Sequence, residues 1–81
     1  MLEVQLSGSL RDAAGGAASI SIDASTIREL LRKIVERYPR MQSRVDDGVA
    51  VSINGEIFRD NWGEHIPEGA EIFLLPRIPG G

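Results

Sequence analysis

Six apolar residues share one helical stripe: Ile27, Leu30, Leu31, Ile34, Val35 and Tyr38 fall at i, i+3, i+4, i+7, i+8 and i+11. A stripe of this width has to be buried against a second layer. The segments on either side of it carry the period of strands, so the second layer is expected to be a sheet. The helix is bounded as well as striped. Thr26 and Glu29 have the spacing of a capping box, with Ser25 as an alternative cap, and Pro39 stops the helix because the residue before a proline is driven out of helical dihedrals. Arg28, Glu29, Arg32, Glu36 and Arg37 fill the opposite, solvated face and are assigned no chemistry.

Before the helix, Leu2, Val4 and Leu6 alternate with Glu3, Gln5 and Ser7. After a small, Gly-containing stretch over residues 9–17, read as a loop, Ile20 and Ile22 alternate with Ser19, Ser21 and Asp23. These two strands are expected to pair as a hairpin. After the helix, residues 40–48 read as a loop ending in Asp46-Asp47-Gly48, followed by a strand with Val49, Val51 and Ile53 on one face. Asn54-Gly55 is a strong hairpin signal, returning through Glu56, Ile57 and Phe58. Ile66-Pro67-Glu68-Gly69 reads as a tight turn, and residues 70–75 form the last strand. In that strand Ile72 and Leu74 share one face and Phe73 and Leu75 the other, so it is apolar on both sides. Either both faces are covered or the outer one awaits a partner. The expected fold is α+β, a mixed sheet of four to five strands with one helix packed on one face.

Eighty-one residues make one domain that buries only about 60% of its unfolded surface, which leaves little room for an enclosed cleft. Function is therefore expected on a face or an end. No cysteine is present, which excludes disulfides, iron–sulfur and zinc–cysteine sites and a nucleophilic thiol. Nine basic residues are scattered against twelve acidic ones, for a formal net charge of −3, so nucleic acid is not an expected partner. Lys33 is the single lysine, which makes the chain a poor target for lysine modification. The apolar runs are too short to span a bilayer, and Met1 leads directly into a strand pattern instead of a signal segment; a cytoplasmic protein is expected.

The chain closes on Pro76-Arg77-Ile78-Pro79-Gly80-Gly81. Two residues without side chains fit a channel too narrow for a Cβ, and they offer a partner a carboxylate. Two prolines restrict φ and lack donors, which ends sheet pairing and lowers the ordering cost of docking. A Gly-Gly pair alone is a weak signal, because Gly15-Gly16 is another and reads as a turn. Its weight comes from standing directly after the last strand. The expected division is a folded domain over residues 1–75 and a flexible tail over 76–81.

Strand, strand, helix, two strands, a turn and a last strand running into LLPRIPGG resembles the ubiquitin-like β-grasp sulfur carriers of the MoaD/ThiS family, over the whole chain. The block EGAEIFLLPRIPGG carries the most specific part, and the length is nearer the molybdopterin synthase small subunit than the shorter thiamine carriers. The resemblance implies first and last strands adjacent and parallel at the centre of the sheet. It also implies a protein cosubstrate, not an enzyme, that binds no cofactor of its own. Gly81 would be adenylated by an E1-like enzyme that uses ATP, converted to a thiocarboxylate by a sulfur donor, and discharged to a sulfur-accepting biosynthetic enzyme, as in molybdenum cofactor synthesis. Such a sulfur would be a soft, ionised nucleophile comparable to an activated thiolate. Arg77, Ile78, Pro79 and Gly80 are then tail-recognition residues, and Phe73 and Leu75 a partner interface. Ser7 and Arg59 stand where that family's patch would be apolar, which leaves thiamine, cysteine or tRNA thiolation routes open. A β-grasp interaction module, or a protein modifier joined through Gly81, is the other class.

The remaining polar residues read as structural. His65, the only histidine, has no second metal ligand at helical spacing, and no metal site is expected. Asp46 and Asp47 are turn residues. Trp62 reads as a lid over the core edge before it reads as a partner anchor. Ser9 does not begin a helix after an aspartate, so a prosthetic-arm carrier is set aside. No phosphate-binding glycine motif occurs, so any nucleotide would be bound by the partner.

Overall fold

The computed structural model describes residues 1–76, in the order β1 (Leu2–Leu6), α1 (Ser9–Ala13), β2 (Ser19–Ile22), α2 (Ile27–Arg37), α3 (Met41–Asp47), β3 (Val49–Ile53), β4 (Glu56–Phe58) and β5 (Glu71–Pro76). The five strands form one mixed sheet in the order β2-β1-β5-β3-β4. β1 and β5 are parallel, with Val4 opposite Ile72 and Leu6 opposite Leu74, and the other neighbours are antiparallel. β5 is the central strand.

α2 forms where its stripe requires. Ile27, Leu30 and Ile34 are fully buried against Val4, Val51, Ile72 and Leu74 in one core cluster. Its start is capped twice over. The Glu29 amide donates to Thr26 Oγ1 at 3.2 Å, while Glu29 Oε1 accepts from the Ser25 amide at 2.6 Å, so the returning half of the box closes one residue earlier than the spacing implies. The amides of Ile27 and Arg28 donate to the carbonyls of Glu64 and Trp62 in the 59–70 connection. That connection is thereby stitched to the helix, and Trp62 packs half-buried against the core as a lid. Thr26→Ala is expected to cost about 1 kcal/mol, the usual worth of a lost N-cap, and chemical denaturation would read it as a shifted midpoint with an unchanged slope.

The expectation of a single helix is corrected. Residues 9–13 and 41–47, read as loops, are helical. Each is too short to hold together alone; burial of Leu10 and Ala13 on one and Met41 on the other holds them, and they pack on each other. The last strand also runs one residue further than expected, since Pro76 pairs with Val49. Residues 77–81, the rest of the tail, lie outside the described residues.

Of the predicted turns, those at Asn54-Gly55 and at residues 66–69 form, the second closed one residue later than its spacing implies. Asn54 and Gly55 have φ of 50° and 91°, the pair of positive values that a two-residue hairpin needs. Gly69, at φ 76°, sits third in a turn closed by the Ala70 amide on the Pro67 carbonyl.

Candidate functional site

The alternation in β5 decides which of its two apolar faces is covered. Ile72 and Leu74 are fully buried under the helices, while Phe73 is 38% exposed and Leu75 half-buried on the helix-free face. The register builds a row across that face, Gln5, Phe73, Ser52 and Ile57, from β1 to β4. A second row sets Leu75 beside Ala50. Ser52 and Ala50 are small enough to be covered by these larger neighbours, each only 7% exposed, which is why all five residues of β3 are buried. Ile57, 52% exposed, therefore joins Phe73 and Leu75 as a third apolar member of the face. Sequence reasoning treated Ile57 only as a strand residue; the signal that it faces outward is its registration with Ser52 across the Asn54-Gly55 hairpin. Continuing each register by one residue brings Ser7 beside Leu75 and Arg59 beside Ala50, so the two polar departures border the apolar strip.

The strip lies toward the end of the sheet where the main chain leaves the described fold. β5 ends at Pro76 opposite Val49, the first residue of β3. α1 packs on β5 and on α3 there, and Arg11 Nε donates to the Leu6 carbonyl at the end of β1 at 3.0 Å. Of the predicted tail residues, Arg77, Ile78, Pro79, Gly80 and Gly81 lie outside the described residues. Phe73 and Leu75 are brought together as expected, one above the other on the same strand.

The other groups assemble no chemistry. An open groove of about 300 Å³ is bounded by Leu2, Asp23, Ser25, His65 and Glu68, at the opposite end of β1. It holds a serine, a histidine and an aspartate, but among the described residues no hydrogen bond joins their side chains, so no nucleophile is relayed to a base. His65 is engaged through its backbone, in a bridge to Thr26. Among the described residues no group of three His, Asp or Glu side chains comes together as a metal site, and no helix is long and apolar enough to cross a membrane. Asp46 and Asp47 close α3 instead of standing in a loop.

Solved structures share this architecture from end to end. SAMP1 from Haloferax volcanii is 30% identical and superposes with a TM-score of 0.80, covering 99% of this chain and 98% of its own. Subunit 1 of the molybdopterin-converting factor from Helicobacter pylori, solved in complex with subunit 2, is 25% identical with a TM-score of 0.69, covering 99% and 97%. CysO of Mycobacterium tuberculosis, 21% identical, shares the fold with a TM-score of 0.82 over 96% of this chain and 100% of its own. A search of curated proteins finds no match. The model of the ThiS family matches residues 4–81. With a mixed sheet centred on parallel first and last strands and a family match running through the Gly-Gly end, this chain belongs to the ThiS/MoaD family of ubiquitin-like β-grasp sulfur carriers.

Proposed function

We propose that this protein is a sulfur carrier that works as a protein cosubstrate in the cytoplasm. The Gly81 carboxylate attacks the α-phosphorus of ATP on an E1-like enzyme, releasing pyrophosphate. A sulfur donor then displaces AMP from the acyl-adenylate and leaves a thiocarboxylate, which a biosynthetic acceptor enzyme receives. A carboxylate is a poor electrophile until one oxygen belongs to a good leaving group, and adenylation supplies that. The carrier itself needs no bound cofactor or metal for these steps. Arg77, Ile78, Pro79 and Gly80 guide the tail into the partner, while Phe73, Leu75 and Ile57 form the docking strip beside it.

The observation that supports the reading is the exit of the chain from the central strand at Pro76, next to an exposed apolar strip. A partner that holds the strip has the tail within reach. The acceptor pathway is read as molybdopterin-synthase-like, with cysteine, thiamine and tRNA thiolation as the alternatives that polar Ser7 and Arg59 favour.

Intact mass tests the reading. Protein incubated with its activating enzyme, ATP and a sulfur donor is expected to gain the mass difference of one oxygen replaced by sulfur, located by fragmentation at Gly81. No gain in the presence of an enzyme that exchanges pyrophosphate would remove the sulfur step. A second reading, a modifier joined to lysines of other proteins, is favoured by the likeness to a protein named as a small archaeal modifier, at 28–30% identity. Gly81-linked isopeptides recovered from cells would establish it.

A further inference from the structure

On the helix-covered side, α1 and α3 bound an open cleft of about 240 Å³, lined by Asp12 and Ala13 from the first and by Arg40, Ser43 and Arg44 from the second. Both helices stand at the end of the sheet where β5 finishes, α1 against β5 and α3 leading into Val49, the partner of Pro76. Arg40 precedes α3 in helical dihedrals, so it stands one turn before Arg44 on the same side, and like charges at that spacing repel. Ser43 Oγ donates to the Arg40 carbonyl at 3.3 Å, which fixes the backbone between them. Neither guanidinium has a hydrogen-bond or ion-pair partner among the described residues, and Asp12 lines the cleft without pairing with them. Arg11, Arg32 and Arg37 of the same layer do have acceptors, on the Leu6 carbonyl, on Glu29 and Glu36, and on the Ser21 carbonyl.

An acceptor is within reach of the two free arginines. Residues 77–81 follow Pro76 and, at about 3.5 Å per residue, span up to about 17 Å. Val49, paired with Pro76, follows Arg44 by little more than one helical turn. We propose that the cleft between α1 and α3 is a carboxylate site whose occupant in the free carrier is the chain's own Gly81 carboxylate, held by Arg40 and Arg44. The inference rests on the carrier reading above, in which Gly81 bears the reacting carboxylate. The charges of the two parts are complementary. The tail brings one cation, Arg77, and one terminal anion, while the cleft offers one anion, Asp12, and two cations. Guanidinium groups take a carboxylate through paired, charge-assisted hydrogen bonds, and an anion between Arg40 and Arg44 relieves their repulsion. The docked tail is withheld from the activating enzyme, which acts only on the undocked fraction.

The test is an NMR titration of the Gly81 carboxyl carbon in the free protein, without any enzyme. Docking favours the charged form, so this carboxyl is expected to titrate about half a pH unit lower in the wild type than in the double variant Arg40→Gln with Arg44→Gln. Arg28→Gln, the same change at the far end of α2, is expected to leave the wild-type value. A shift of half a unit corresponds to an undocked fraction of about one third, so the double variant is also expected to lower the KM for carrier in pyrophosphate exchange about threefold, with kcat unchanged. Neither arginine belongs to the core, and the double variant is expected to keep its fold. A check that needs no substitution is the Arg44 amide resonance, which is expected to follow the Gly81 titration and to lose that component in a chain amidated at Gly81. Equal titration of Gly81 in the wild type and the double variant would overturn the proposal. So would a raised KM in the double variant with the titration unmoved, since the arginines would then hold the partner instead of the tail. Absence of exchange with wild-type carrier strikes the carrier reading alone, because the titration is read independently of the enzyme.

Discussion

Gly81→Ala is expected to slow acyl-adenylate formation by on the order of 100-fold while leaving the melting temperature where it is. In the proposed adenylation the attacking carboxylate oxygen is two bonds from the Gly81 Cα, so a methyl added there would crowd the approach of that oxygen to about 3–3.5 Å from the α-phosphorus, in line with the leaving pyrophosphate. A channel shaped for main chain alone has no place for it. Stability is untouched for a separate reason. The buried core is complete at Leu74, and the sheet's last pair, Val49 with Pro76, is upstream of the substitution. Pyrophosphate exchange and calorimetry on one preparation read the two halves. Exchange at the wild-type rate would show that the active centre tolerates a side chain, and the role given to the glycine pair would go.

The second large effect separates the two faces of one strand. Leu74→Ala is expected to cost about 3 kcal/mol, because Leu74 is fully buried in the central strand and its removal leaves a cavity between sheet and helices. In a domain of this size that corresponds to a fall of about 15 °C in melting temperature, a large share of the total stability of a small domain. Phe73→Ala, one residue earlier, is expected to cost only about 1 kcal/mol, since its ring stays partly in water on the helix-free face between Gln5 and Ser52. The cost of Phe73→Ala should appear instead in the KM for carrier. A Phe73 loss as large as that of Leu74 would make it a core residue and leave no docking strip.

Much of the architecture is legible along the chain. The stripe from Ile27 to Tyr38, the Thr26 cap and the Pro39 stop are local signals that agree, and the helix forms within a residue of them. Asn54-Gly55 is read as directly, because few residues tolerate two successive positive φ values. α1 and α3 are not legible in the same way. Met41 and Val45 are one turn apart, but a seven-residue helix has too few repeats to stand out, and α1 is only five residues long. What stabilises both is contact with distant parts of the chain.

The site divides likewise. Local pattern determines that β5 is a strand with apolar residues on both sides, and that a proline-broken Gly-Gly end follows it. Which side is covered depends on where α2 packs, and that packing made Phe73 and Leu75 a surface and Ile72 and Leu74 a core. Glu3 and Glu71 stand far apart in the chain and become neighbours only through the parallel register of β1 and β5. Periodicity and turn chemistry act over a few residues, so sequence alone settles them. Register and the choice of buried face depend on contacts between segments brought together by folding, so only the assembled sheet settles those.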